Sequence, residues 1–393
     1  DSRSVGGVAH KAALQEVPVE AAKFRHLPSD AREAKSSCLE IVKEGLLERG
    51  FSEKVASRIS KPFKESTGGI YNSKWKGFCG WCSGRDTDPC KATISDIAEF
   101  LNWLHEEKKL DKSTIGGYRT AIGKVMKVTQ NLDIGHNQYL SDLIRNFERD
   151  TSVIKKQLVS WSLPLVLKVL SGSPFEPLHL ADMRFVTFKA VFLLALATGA
   201  RRSELHALRA DNVQTQESSG SLVLHTDINF LAKTELVDRG GEVCKPVVVK
   251  ALTRFVGPND EERVLCPVRA VKQYLRRAKE FRGDRTRLFV AFKKGYKKDI
   301  VRNTISGWIK KTVVLCYELS SREVRDFHGI KAHQVRALSA SWALHKNCSM
   351  EKILTACSWK NHTTFTSFYL KDMTLERDGM SQLGPLVVAT QLV

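Results

Sequence analysis

Eight consecutive apolar residues, Ala190 to Ala197, constrain this chain more than any other stretch. With no polar face to offer to water, the run reads as a buried helix. Thr198 and Gly199 break it, and Arg201 to Arg209 begin another helix, with Leu205 and Leu208 at helical spacing. Arg201 therefore falls at a fixed helix start, with Glu204 one turn on to orient its guanidinium. A planar cation held this way is a preorganised donor: it binds two phosphoryl oxygens at once and stays protonated at any working pH.

Near the other end, His333-Gln334-Val335-Arg336 is followed by Trp359 and then Tyr369. A phenol displaces a bridging oxygen from phosphorus only if its proton is taken and the charge growing on the phosphoryl oxygens is met by fixed donors. Tyr369 suits the nucleophile and His333 its base. Arg201 and Arg336 suit the grip on the phosphate, and the Trp359 indole N–H adds a donor. Glu204 holds either Arg201 or His333 in place.

The set Thr198-Gly199-x-Arg201-x-x-Glu204-Leu205, His333-x-x-Arg336, Trp359 and Tyr369 resembles the active site of the tyrosine recombinases, the phage-integrase family. Trp359 and Tyr369 follow Arg336 at family-like distances; the step from Trp359 to Tyr369 is one residue longer than usual, an insertion assigned to Lys360-Asn361-His362. Trp161-Ser162-Leu163-Pro164, Pro174-Phe175-Glu176-Pro177-Leu178, Cys266-Pro267-Val268-Arg269-Ala270 and Tyr369-Leu370 extend the likeness to the recombinases of DIRS and Ngaro-type retrotransposons.

The resemblance implies a mainly α protein with a small antiparallel β-sheet: a helical core-binding domain and an α+β catalytic domain that clamp duplex DNA between them. It implies a 3′-phosphotyrosyl intermediate, a free 5′-hydroxyl, and rejoining to a second strand, with no metal ion and no nucleotide cofactor. It further implies a homodimer or tetramer on DNA, integration of a retrotransposon copy, and work in the nucleus. The departing alkoxide needs an acid, and a lysine on a β-hairpin supplies one. Phe230-Leu231-Ala232-Lys233-Thr234 matches best, with Lys245 and Lys250 as rivals. Two other functions fit part of the pattern. A type IB topoisomerase shares the chemistry, and a domesticated DNA-binding protein would keep the fold without the catalysis.

Composition agrees with a DNA partner. The 393 residues leave room for two domains, and 42% apolar with 27% charged residues is the balance of a folded protein. A net charge of +19 points to a polyanion, and no stretch of 18 apolar residues suggests a membrane span. Nine cysteines without a framework fit a reducing compartment; Cys79-x-x-Cys82 with Cys90 lacks a fourth zinc ligand and reads as buried thiols beside Trp75, Phe78 and Trp81. The chain opens on Asp1 without a signal peptide and reads as an excerpt from a longer polypeptide.

In order, residues 1–34 read as a flexible lead-in, 35–150 as the helical core-binding domain, 151–160 as a linker, 161–375 as the catalytic domain and 376–393 as a tail. Helices are expected at Thr67 to Cys82, Ile94 to Glu107, Ser113 to Gln130 with Ser113 as cap, Pro267 to Phe281 and Asn303 to Leu315. Strands are expected at Ser221 to Thr226 and Cys244 to Val249. Lys61, Lys64, Lys74, Lys76, Lys112 and Arg119 are candidates for phosphate contacts, as are Lys293 and Lys294 in a basic loop. The apolar tail Leu383 to Ala389 would, by the resemblance, pack into a neighbouring protomer.

Overall fold

A computed structural model of the chain describes residues 37–62, 65–150, 161–216, 220–230, 232, 246–252, 261–293, 295–322, 330–357, 359 and 361–370. It divides into two compact units, Asp1–Ile154 and Lys155–Val393. The expected lead-in, linker and tail lie outside the described residues.

The first unit is helical throughout its described residues: α1 (Cys38–Glu48), α2 (Glu53–Ser60), α3 (Glu65–Ser83), α4 (Ile94–Glu106), α5 (Lys112–Thr129) and α6 (Gln138–Asp150). Local sequence sets the starts. Ser37 and Glu40 form a reciprocal capping box on α1, and Thr93 and Asp96 form one on α4. For α5 the cap is Asp111, two residues before the expected Ser113. Its carboxylate accepts from the Thr114 N–H at 2.9 Å and the Ser113 hydroxyl at 2.6 Å, bonds that pull its pKa down to about 2. An ionised acceptor outcompetes a hydroxyl at a helix N-terminus. Trp75, Phe78 and Phe100 anchor the core, with the Phe78 and Phe100 rings 5.0 Å apart, and Gly45 lets α1 approach Val128 of α5 too closely for a Cβ.

The second unit runs α7 (Leu163–Leu170), α8 (Met183–Thr198), α9 (Arg202–Ala207), β1 (Leu208–Gln216), β2 (Ser221–Thr226), β3 (Val247–Val249), α10 (Pro267–Arg282), α11 (Arg302–Leu319), α12 (His333–His345), α13 (Met350–Ala356) and α14 (His362–Phe368). The apolar run is the C-terminal half of α8, a helix buried from Val186 to Thr198 and packed against α10, α11 and α12. The three strands form one antiparallel sheet in the order β1-β2-β3. The mainly α architecture with a small antiparallel sheet is thus the one expected.

One element differs from expectation. The helix expected to continue to Arg209 ends at Ala207, and the chain leaves as β1, with Leu208 opposite Thr226 and its carbonyl accepting the Leu288 N–H at 2.7 Å. The helical spacing of Leu205 and Leu208 is real, but Leu208 finds its burial in the sheet. A partner strand outweighs local propensity here.

The segments beside the motif turn out to be fastened to the rest of the unit. Trp161 donates its indole N–H to Gln334 Oε1 at 3.0 Å, and the Ser162 N–H donates to the Tyr317 hydroxyl at 2.7 Å. Glu176 accepts from Lys189 of α8 at 2.5 Å and from both terminal nitrogens of Arg269 of α10 at 2.6 and 2.8 Å. Two stretches far apart in sequence are thereby locked to α8.

Candidate active site

The site grows out of the end of α8. Gly199 stops that helix with φ +57, its N–H donating to Ala195 O at 2.9 Å. Thr198 Oγ1 donates to Leu194 O and accepts the Ala200 N–H, so the turn is bonded on both sides. A Cβ at Gly199 would stand 3.0 Å from Cys357 Sγ, in a left-handed conformation that already disfavours side chains. Gly199→Ala is expected to cost about 1–3 kcal/mol, read as a lowered denaturation midpoint.

That turn delivers Arg201 to the start of α9. Glu204 Oε2 accepts the Arg201 backbone N–H at 2.7 Å while Oε1 accepts Nη1 at 2.6 Å. One carboxylate thus fixes both ends of the residue, and it stands 3.9 Å from Nη1 of Arg336 as well. Glu204 joins the two arginines, and of the two partners the sequence offered it, Arg201 is one that it holds.

Arg336 lies in the first turn of α12 and is 4% exposed. Its two terminal nitrogens donate to the carbonyls of Gly199 and Cys357, so the guanidinium ties together the ends of α8 and α13. Burial lowers its pKa, opposed by Glu204 among its neighbours, yet an arginine stays cationic. Its Cζ stands 4.6 Å from the centroid of the Trp359 ring and 5.8 Å from that of Tyr369. The Trp359 and Tyr369 rings are 4.6 Å apart, and Phe365 stacks on the other partner, Trp359, at 5.4 Å. Tyr369 directly follows α14: its N–H donates to Phe365 O at 2.8 Å and its carbonyl accepts the Ser341 hydroxyl at 3.3 Å.

Two buried donors in this cluster, Arg336 Nε and Trp359 Nε1, have no hydrogen-bond partner among the described residues. Each such orphan costs about 1–3 kcal/mol when buried. A pair of them beside a partly exposed phenol and a second arginine is a place built for an anion. His333 opens α12, exposed, one turn before Arg336.

Of the candidates named from sequence, the structure therefore gathers Arg201, Glu204, Arg336, Trp359 and Tyr369, with His333 on the same helix turn. Lys233 and its rival Lys245 lie outside the described residues, as do Lys64 and Lys294. Lys250 is half-buried just past β3. Lys61, Lys76, Lys112 and Lys293 are exposed. Lys74 and Arg119 face inward: Lys74 donates to Thr114 O at 2.9 Å over the Tyr118 ring, and Arg119 donates to Ile134 O, Gly135 O, Asn137 O and the Ser141 hydroxyl. Arg119 is thus held by three loop carbonyls and Lys74 by one carbonyl in the first turn of α5, bonds that their helical positions alone did not reveal.

Sequence reasoning passed over Cys357 and Ser339. Ser339 donates to Leu196 O at 2.6 Å beneath the Gly199 turn. Burial pushes the Cys357 thiol up to about 11 despite Arg336, so it stays protonated beside the cations. Only the close fit to a residue without a Cβ, Gly199, hinted at such neighbours. Among the described residues no group of His, Cys, Asp or Glu is arranged to hold a metal ion. Cys79 and Cys82 are free thiols that burial pushes up to about 11 and about 12.

No protein-family model and no curated protein matches the chain. Solved structures do. A XerH site-specific recombinase bound to palindromic difH substrate, in a post-cleavage complex, superposes with a TM-score of 0.50 at 14% identity over 85% of this chain and 85% of that one. The Tn1549 transposon integrase in complex with transposon right end DNA gives 0.49 at 13% identity, over 87% and 97%. A lambda integrase dimer bound to a COC′ core site gives 0.45 at 16%, over 83% and 95%. The structural neighbours are tyrosine recombinases and integrases, and the mostly helical chain with its small antiparallel sheet has their fold.

Proposed function

We propose that this chain cleaves and rejoins DNA strands through a covalent 3′-phosphotyrosyl intermediate on Tyr369. The reading rests on one observation above the others: two orphaned buried donors, Arg336 Nε and Trp359 Nε1, belong to one cluster with Arg201, to which Glu204 links Arg336, and a phenol. A phosphodiester supplies the charged oxygens such donors need.

The roles follow from the groups. Arg201, fixed by Glu204, and Arg336, fixed by two carbonyls, hold the scissile phosphate and meet the charge of the pentacoordinate transition state. Trp359 donates to one of its oxygens. His333 takes the Tyr369 proton as the phenolate oxygen bonds to phosphorus. The bond to the 5′-oxygen breaks, and Lys233 protonates the departing alkoxide. Attack by another strand's 5′-hydroxyl reverses the step with exchanged partners, so one phosphoester bond is lost for each one formed. The neighbours' bound DNA, together with a net charge of +19, supports duplex DNA as the substrate. Unit Asp1–Ile154 then acts as the core-binding domain, and exchange requires a dimer or tetramer on DNA, with integration of a retrotransposon copy of the DIRS/Ngaro kind in the nucleus as the setting.

The test is a pool of duplexes carrying 5′-bridging phosphorothioates, whose departing thiol religates poorly and needs no acid. A denaturation-resistant adduct whose nucleotide maps to Tyr369 is the expected result. Salt-sensitive binding to the same pool without any adduct would leave a DNA-binding protein in place of the enzyme. In the same assay Arg336→Lys is expected to slow adduct formation by about 10²–10³-fold, because a single ammonium cannot span two carbonyls and still direct a nitrogen at the phosphate.

A further inference from the structure

The helix α10 carries a charged face that the chemistry above does not use. Lys272, Arg276 and Lys279 follow at helical spacing, all exposed, and none is ion-paired with a described carboxylate. Arg276 donates to Gln273 at 3.1 Å and keeps its charge uncompensated. The neighbouring cations differ: Arg269 is held by Glu176, Arg277 donates to Ala181 O, and Arg282 is bonded to the carbonyls of Arg287 and Leu288.

This face is concave. A cavity of about 490 Å³ opens between the start of α10 and Leu178, Gly220 and Ala251. A second, of about 640 Å³, opens between the rest of α10 and the sheet residues Val213, Thr215 and Leu222. Lys272 and Arg276 line both and Lys279 the second, so the two adjoin along this face of α10 as a groove with the cations along its wall. Its acidic lining residues are Asp211, already bonded to Arg209, and Asp284 at the far end. The groove is separate from the catalytic cluster. None of the residues that line it belongs to that cluster, and Arg269 at its start is tied through Glu176 to Lys189, ten residues before Gly199 along α8.

We infer that this groove seats the phosphate backbone of duplex DNA flanking the cleaved segment. Three unpaired cations rising along about 10 Å of helix suit successive phosphates. The lining contains no Phe, Tyr or Trp among the described residues, and His179 is its single ring, so it offers no row of rings on which successive unstacked bases would stack. Contacts to backbone alone add affinity and salt dependence without sequence preference. The inference rests on the reading of the chain as a DNA enzyme but not on its covalent step.

The test uses the full chain in a Tyr369→Phe background, with binding to a duplex of about 40 base pairs measured over a range of salt concentrations. Lys272→Gln, Arg276→Gln and Lys279→Gln together are expected to lower the slope of log K against log salt by about 2–3, near 0.9 for each phosphate released. The control removes the same charge at Lys54, Lys91 and Lys109, exposed lysines of the first unit that are not among its candidate phosphate contacts, and is expected to leave the slope nearly unchanged. An unchanged slope in the α10 variant overturns the inference, as does an equal fall in both variants, which would reflect net charge alone. Unfolding midpoints confirm that both variants are folded. A chain that binds through α10 yet forms no adduct defeats only the proposed reaction; one that forms an adduct with an unchanged slope defeats only this inference.

Discussion

Tyr369→Phe is expected to abolish the covalent adduct, a loss of at least about 10⁴-fold in cleavage, while DNA binding stays within about twofold. The substitution removes one oxygen and little else. The ring contact with Trp359 at 4.6 Å, the N–H bond to Phe365 O and the carbonyl's bond from Ser341 all survive it. A fall in adduct formation therefore reports chemistry and not collapse of the site. Quantitative gel analysis beside a binding isotherm separates the two, and an adduct persisting in the variant would move the nucleophile elsewhere.

The second large effect is structural. Glu176 holds Lys189, whose side chain is fully buried, and Arg269. Lys189 also donates to Leu170 O at 2.7 Å, but a carbonyl cannot neutralise it. Glu176→Ala is expected to cost about 3–5 kcal/mol, because it leaves a buried ammonium uncompensated. Adding Lys189→Met to that variant is expected to recover a large part, since removing both charges from a packed interior is often nearly neutral. Denaturant unfolding of the two single variants and the double variant measures the coupling. Burial pushes Lys189 down to about 8 from its usual 10.5, with Glu176 opposing. Between those values the unfolded chain binds more protons than the folded one, so this group makes stability rise with pH from about 8 to about 10.5. Lys189→Met should remove that contribution from the pH profile.

Much of the site was legible in the chain. The apolar run before Thr198-Gly199 required a buried helix with an abrupt end, and Arg201 with Glu204 one turn on required an oriented guanidinium; both follow from contacts within a few residues. The mainly α composition and the two-strand signal at Ser221 and Val247 were legible for the same local reason. β1 was not, because its strand conformation comes from a partner, β2, and not from its own residues.

What the sequence by itself determined was the set of chemical groups and the local turns that present them. The tertiary structure alone decided which cations are free to act. Arg119 is bonded to loop carbonyls and Lys74 to a carbonyl of α5, Arg336 is braced by two carbonyls brought from 137 and 21 residues away, and Glu176 joins α8 to α10. Helical periodicity reports the face on which a charge stands. Whether that charge meets water, a carbonyl or a carboxylate depends on segments distant in the chain, which only close packing brings within hydrogen-bond reach.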